Sequence, residues 1–281
     1  MDKFDITRIP QKQVDAIRAF IMQHNKDIGS VMRQKTLQDD VFSLLKRVDP
    51  NCIILYYPNK DPQNNGFHAQ YPAKQFVYIN TAQHYEKQIF TAAHELGHIW
   101  ELDKWMRKNV SCYPNDSKWD EKIMNRFAAE LLMPDDMFAY SAIKLIEEAT
   151  SQGNRAFTLS MIIRVVTALM DEFFTPYKAV VRRLFEQNLI TDKMGKVLWG
   201  EDPRFPREII ETYSQQIAME HDYKKLYKTD NKRWVDGLDG LFRLVKSKQT
   251  LPVAWMDSFC ENFDFDPNGL ALDEVFSDVD E

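Results

Sequence analysis

Along most of the chain, apolar residues recur every three to four positions, which is the period of an amphipathic α-helix. The clearest example is the segment 86–100, where one side of the predicted helix collects nearly all the apolar residues. They are Ile89, Ala92, Ala93, Leu96, Ile99 and Trp100. The same period predicts further helices over residues 10–47, with a break near 24–29, and over residues 119–133, 134–149, 209–219 and 234–245.

A different pattern precedes the segment 86–100. Short runs of β-branched and aromatic residues, separated by residues that favour turns, predict strands rather than helices. Three strands are expected, over residues 52–57, 66–70 and 75–80. The last two would form a hairpin around residues 71–74. After the segment 86–100, the polar stretch 101–118 predicts a loop with one helical turn.

The composition is that of a globular protein, since 44% of the 281 residues are hydrophobic and 12% are aromatic. No apolar stretch approaches the length of a membrane span, and the first residues do not have the pattern of a secretory signal. We therefore expect a cytoplasmic protein that does not enter a membrane. The three cysteines, Cys52, Cys112 and Cys260, form no CxxC pair, so they predict neither disulfides nor a thiolate metal site.

The charge is unevenly distributed along the chain. The net charge is −6, yet the segment 249–281 contains nine acidic residues and no lysine or arginine, which leaves +3 for residues 1–248. An acidic end of this kind is typically solvated. The alternative is that it folds back over a basic surface of the same chain.

The sequence His94-Glu95-Leu96-Gly97-His98 lies on the best-defined predicted helix. Two histidines spaced i, i+4 project from the same side of a helix, where their imidazoles can bind one zinc ion while the glutamate between them faces a metal-bound water. A carboxylate from a second helix, which begins near Glu121, would give three protein ligands and leave one position open, as in catalytic zinc sites. The simpler alternative is a pair of polar histidines at the edge of the core.

The glycine within this motif is also informative. Gly97 costs about 1 kcal/mol relative to alanine inside a helix. Its presence indicates that another part of the protein approaches the helix backbone closely at this position.

These residues carry a family resemblance. Residues 89–98 (IFTAAHELGH) and 121–134 (EKIMNRFAAELLMP) resemble the ImmA/IrrE family of gluzincin-like zinc metallopeptidases. The resemblance implies that His94 and His98 bind zinc and that Glu95 is the general base. It also implies that Glu121, four residues before the Asn of an Asn-x-Phe-Ala segment, is the third ligand. Asn125 would then orient a ligating imidazole.

Two other carboxylates compete for the third position, and one departure from the family pattern lies nearby. Glu101 is close to His98 on the same predicted helix and would not reach the far side of the metal. Glu130 is expected to face elsewhere. Met124 replaces the alanine that relatives often have before the asparagine. The metzincin motif is excluded, because it requires a glycine at position 101 and a histidine at position 104.

Residues 157–190 predict a helix, a short turn and a second helix, and family members often have a helix-turn-helix in this region. The second helix carries Lys178, Arg182 and Arg183, which would suit contacts to DNA. The alternative is a helical hairpin whose basic residues are simply solvated.

The expected fold is α+β and predominantly helical, with a small sheet and a zincin-like catalytic domain over residues 1–150. A helix-turn-helix-like region over 151–195 would follow, and then a helical C-terminal region over 196–281 with the acidic tail. Residues 151–154 have the composition of a linker. An edge strand beside the metal would accept an extended peptide.

The resemblance implies a zinc-dependent endopeptidase that cuts a protein partner, expected to be a transcriptional repressor or antitoxin-like regulator of a mobile element, stress or defence system. One alternative is a DNA-associated regulator whose zincin domain is a metal-binding sensor or interaction module. Another is an effector of a defence locus that cuts a different host protein. The sequence leaves open the target, the activating signal, the choice between zinc and manganese, and the oligomeric state. For the group that stabilises the oxyanion it offers only candidates, namely Tyr85, His68, His84 and Tyr140.

Overall fold

The computed structural model describes residues 3–61, 63–71, 74–151, 158–238, 240, 242 and 253–263. Packing divides the chain into two compact units that are each discontinuous in sequence. The first unit combines Met1–Pro50 with His84–Thr229, and the second combines Asn51–Gln83 with Asp230–Glu281. The three continuous ranges expected from the sequence do not follow this division, and they stay a prediction. The expected linker residues 152–154 and the acidic residues beyond 263 lie outside the described residues.

Three helices open the first unit: α1 (Gln11–Gln23), α2 (Asn25–Val31) and α3 (Asp40–Val48). The predicted break near 24–29 is confirmed at its first residue, because His24 adopts a non-helical turn between α1 and α2, whereas residues 25–29 lie in α2. A longer non-helical segment follows Val31. There the buried carboxylate of Asp40 accepts a hydrogen bond from the backbone N–H of Arg33 at 2.7 Å, which stabilises a loop between α2 and α3.

The second unit contains a four-stranded mixed sheet of order β2-β3-β1-β4. Its strands are β1 (Ile53–Tyr57), β2 (Gly66–Tyr71), β3 (Lys74–Asn80) and β4 (Trp234–Val235). The predicted hairpin is confirmed, since β2 pairs antiparallel with β3 from Tyr71 opposite Lys74 to Gly66 opposite Ile79. β1 runs parallel to β3. The predicted helix over 234–245 is wrong at its start, because Trp234 and Val235 pair with β1.

The middle of the first unit consists of α4 (Tyr85–Ile99), α5 (Leu102–Asn109), α6 (Ser117–Leu132) and α7 (Asp135–Ser151). The expectation of a loop with one turn over 101–118 is wrong. Leu102 and Met106 stand one turn apart on α5 and are completely buried, so packing stabilises a two-turn helix in a segment that is otherwise polar.

Further helices bounded by described residues are α8 (Leu159–Phe173), α9 (Tyr177–Glu186), α10 (Asp192–Leu198), α11 (Arg207–Glu220) and α12 (Val253–Asn262). α8 and α9 are joined by a three-residue turn in which Phe174 has a positive φ of 49°. The protein is thus α+β and predominantly helical, as predicted. Among the described residues, no helix combines the length and the apolar character needed to cross a bilayer.

Candidate metal centre

Helix α4 packs directly against α6, and Gly97 shows how close the two helices are. A Cβ atom at Gly97 would lie 2.7 Å from Sδ of Met124 and 3.0 Å from a ring carbon of Phe127. Both of these α6 side chains are completely buried. The close approach inferred from the sequence is therefore confirmed, and only glycine leaves room for Met124 at this crossing.

The close crossing brings three potential ligand groups together. Nε2 of His94 and Nε2 of His98 are 3.3 Å apart. The Glu121 carboxylate lies beside both rings, with Oε2 at 3.1 Å from Nε2 of His94 and Oε1 at 3.6 Å from Nε2 of His98. One ligand atom from each residue lies within 4.8 Å of the others. The two histidines and the carboxylate predicted from two separate helices thus converge.

Asn125 stands one turn after Glu121 and contacts the other side of the first imidazole. Its Oδ1 accepts a hydrogen bond of 3.1 Å from Nδ1 of His94. Because this bond keeps a proton on Nδ1, the neutral ring presents the lone pair of Nε2 to a cation, whereas the protonated ring donates from Nε2 to Glu121. Asn125 therefore lies where the sequence resemblance placed it.

Electrostatics make the cluster favourable for positive charge. Burial would lower the pKa of His94, but its hydrogen bond to Glu121 and the negative charges of Glu95 and Glu121 raise the pKa above the ordinary value. The pKa of Glu121 is lowered, chiefly by the hydrogen bond from His94 and, against partial burial, by the charges of the two imidazoles. A proton or a cation at this position is stabilised by the carboxylate.

The donor set fits a zinc ion. In a tetrahedral site with zinc–nitrogen distances of about 2.0–2.1 Å, two ligand atoms stand roughly 3.3–3.4 Å apart. The separation of the two Nε2 atoms, 3.3 Å, matches this spacing. The Glu121 side chain is 57% exposed, against 14% for His94 and 25% for His98, so the cluster is reached from solvent on the carboxylate side.

Glu95 lies between the two histidines on α4 and is buried, with 5% of its surface exposed. Its negative charge acts on His94, where it raises the pKa of the imidazole. This electrostatic effect indicates that the Glu95 carboxylate lies near the His94 ring.

The two rival carboxylates lie outside the cluster. Glu101 adopts a left-handed conformation (φ 55°) before α5, and its Oε1 lies 2.5 Å from Nζ of Lys104. Glu130 is buried further along α6 and accepts hydrogen bonds of 2.8 and 2.9 Å from Arg183. Both are engaged with basic side chains, which agrees with the preference for Glu121.

The basic residues expected on the second helix of the helix-turn-helix-like region do not form an exposed surface. Arg183 is completely buried against Glu130, so it is neither available to DNA nor solvated, the two interpretations considered from the sequence. Arg182 donates to Glu186 at 2.9 Å, and the ammonium of Lys178 lies over the ring of Trp199 at 4.6 Å. The i, i+4 spacing of Arg182 and Glu186 was a signal in the sequence for such pairing.

The candidates for stabilising an oxyanion are scattered over the described structure. His84 precedes α4, and Tyr85 packs against Phe174. His68 lies on β2, where its Nε2 is 2.7 Å from Oε1 of Gln75. Tyr140 is 71% exposed on α7. None of the four belongs to the group of described residues whose ligand atoms converge at His94 and His98.

Two imidazoles and a carboxylate held on a pair of crossing helices form a compact cluster of donor groups that could hold a divalent cation. Residues 50–185 match the family model Peptidase_M78, the IrrE N-terminal-like domain. Residues 50–185 thus carry the ImmA/IrrE-family domain that the sequence resemblance indicated.

No curated protein matches the chain. A solved structure described as "Mycobacterium tuberculosis transcriptional regulator" is similar with 17% sequence identity and a TM-score of 0.42, over 66% of this chain and 49% of that one. The chain therefore spans about half the length of that protein.

Proposed function

We propose that this chain is a zinc-dependent endopeptidase that hydrolyses a peptide bond in a protein partner. The observation that carries the proposal is the convergence of His94, His98 and Glu121 around a volume the size of one cation. The matching family supports the same class of reaction. We further propose that the partner is a transcriptional repressor or an antitoxin-like regulator, which is the class of substrate that characterised family members cut.

The reaction divides between the metal and the side chains around it. When bound, zinc supplies Lewis-acid activation of a water molecule and of the scissile carbonyl. His94, His98 and Glu121 would hold the ion, and Asn125 keeps the His94 ring in the tautomer that binds it. Glu95 would accept the proton of the attacking water and deliver it to the leaving amine.

The first prediction concerns Glu95. Replacing Glu95 with glutamine keeps the size of the side chain and removes its basicity, so peptidase activity should fall by about 10²–10⁴-fold. Zinc binding should be unchanged, because Glu95 is not among the three converging ligands. The measurements are the zinc content of purified protein and the cleavage rate of the partner regulator, with and without a chelator.

His94→Ala and Glu121→Ala are the matched controls, because both should lose zinc as well as activity. Cleavage by Glu95→Gln at the wild-type rate would remove Glu95 from the mechanism. Purified wild type with no bound zinc or manganese, and without chelator-sensitive cleavage of any partner regulator, would contradict the proposed function.

The alternative, a DNA-associated regulator with a metal-sensing domain, has no specific support in the described residues. Arg183 is buried in ion pairs, and Arg182 is engaged with Glu186. A DNA affinity that falls steeply with salt, without any proteolysis, would favour this alternative.

A further inference from the structure

The third ligand depends on the backbone of α6 for its position. The Glu121 side chain is 57% exposed and its carboxylate contacts the two imidazoles. Since packing does not confine an exposed side chain, the place where it meets the imidazoles is set by the first two turns of the helix that carries it. Whatever fixes the start of α6 also fixes the geometry of the metal centre.

Asp120 ties the start of α6 to the segment that follows α4. Its Oδ1 accepts a hydrogen bond of 2.8 Å from the hydroxyl of Tyr113, and its Oδ2 accepts one from the guanidinium of Arg107 on α5. Arg107 is itself held by Asp103, one turn earlier on α5, at 2.5 Å. Both carboxylate oxygens of Asp120 are thus bonded, and its side chain is only 14% exposed.

We propose that Asp120 is a positioning residue for the metal centre, through which Arg107 and Tyr113 fix where Glu121 meets the two imidazoles. The inference rests on the proposed metal site. α5 begins three residues after α4 ends, so the Asp120 network joins the chain just beyond the histidines to the residue beside the third ligand. Asp120 is not one of the three residues whose ligand atoms converge.

Other contacts at the start of α6 are less suited to this role. Asp116 caps the helix by accepting from the backbone N–H of Lys118, which stabilises the first turn without fixing its direction. Lys122 pairs with Asp5 at 2.9 Å, but both side chains are exposed, at 40% and 46%. An exposed pair of this kind contributes little, whereas the Asp120 carboxylate is shielded and doubly bonded.

The prediction is a loss of zinc affinity without loss of any ligand. Asp120→Ala should raise the dissociation constant for zinc about 10-fold, at the lower end of the 10–100-fold range for supporting residues around metal sites. Tyr113→Phe removes one of the two hydrogen bonds and should give a smaller increase. The measurement is competition for Zn²⁺ against a chromophoric chelator, using the full chain. Lys122→Met is the control, with an unchanged dissociation constant expected.

A double-mutant cycle separates positioning from general destabilisation. If Asp120 acts through Glu121, adding Asp120→Ala to Glu121→Ala should not weaken zinc binding further. A second 10-fold loss in that background would overturn the inference, as would wild-type affinity in the single variant. If Asp120→Ala does not fold, Asp120→Asn, which keeps the shape and loses the charge, is measured in the same cycle.

The same measurements distinguish this inference from the proposed function. Weak zinc binding by wild type, or an affinity that Glu121→Ala leaves unchanged, would contradict the metal site itself. Normal wild-type binding that Glu121→Ala weakens and Asp120→Ala does not would contradict only the role of Asp120.

Discussion

The two ends of α6 each carry a glutamate, and the two side chains have opposite surroundings. Glu121 is 57% exposed and faces two imidazoles. Glu130, nine residues later, is 4% exposed and accepts hydrogen bonds from three arginines. The three are Arg18, Arg126 and Arg183. The first glutamate is available to a ligand from solvent, whereas the second is used entirely within the protein.

The difference shows that the environment, rather than the residue type, separates a candidate ligand from a structural group. Glu130 joins α6 to α1 and α9, because its arginine partners lie on all three helices. A buried carboxylate needs such pairing to remain charged. Glu121 needs no compensation from the fold, since solvent reaches it, and its carboxylate is therefore available to a cation that enters from solvent.

The largest expected effect is the difference in stability between removing Glu130 and removing Glu121. Glu130→Ala leaves the buried guanidinium of Arg183 without its main partner, so the free energy of unfolding should fall by about 3–5 kcal/mol. Glu121→Ala in metal-free protein should change it by no more than about 1 kcal/mol, because the Glu121 carboxylate is exposed to solvent. Urea unfolding in the presence of a chelator measures both values.

Glu148→Ala, which removes an exposed partner of Lys144, is a control for the surface case. Equal destabilisation by the variants of Glu121 and Glu130 would contradict the distinction between the two ends of α6.

Lowering the pH is expected to have a smaller effect on the free energy of unfolding. Burial would raise the pKa of Glu130, but the hydrogen bonds and charges of Arg183, together with Arg126 and Arg18, lower it to about 2. A lowered pKa in the folded protein means that the stabilisation is complete above the ordinary value of 4.5 and is lost as the pH falls from there toward 2. The loss should be on the order of 3 kcal/mol.

Unfolding free energies measured between pH 6 and pH 3 test this expectation. Glu130→Gln should show a flatter profile over that range than wild type. Parallel profiles for the two proteins would show that the acid sensitivity arises elsewhere in the chain.

The smallest expected effect on stability comes from the contact between Gly97 on α4 and the part of α6 that lies between the two glutamates. Gly97→Ala would place a methyl group 2.7 Å from Sδ of Met124, and crowding of this kind costs about 1–3 kcal/mol. The better helix propensity of alanine offsets about 1 kcal/mol of that. Combining Gly97→Ala with Met124→Ala should cost less than the sum of the two single changes, as measured by chemical unfolding. Additive costs would mean that the two residues are not in contact.

Much of the candidate site was predictable because it depends on local periodicity. The spacing of His94 and His98 places both on one side of any regular helix, and Gly97 signals the close crossing that Met124 and Phe127 make. The strand pattern likewise predicted the hairpin of β2 and β3. These features need only the geometry of one element or of two adjacent ones.

Other features could not be predicted from the sequence because they depend on partners that are distant along the chain. α5 was expected to be a loop, since its polar sequence does not show that Leu102 and Met106 meet a core. The helical period over 234–245 does not show that Trp234 and Val235 pair with β1, because β1 lies almost 180 residues earlier in the chain. Neither the ion pairs of Arg183 nor the contact of Asp120 with Arg107 follows from local pattern.

By itself, the sequence determined the type of helix that carries the histidine pair, the spacing of that pair, and the family that residues 50–185 match. Only the tertiary structure decided that Glu121 faces the imidazoles while Glu101 and Glu130 pair with basic side chains. The physical reason is that periodicity fixes which side of a helix a residue occupies, whereas the charge and exposure of a carboxylate depend on helices that the chain brings together from far apart.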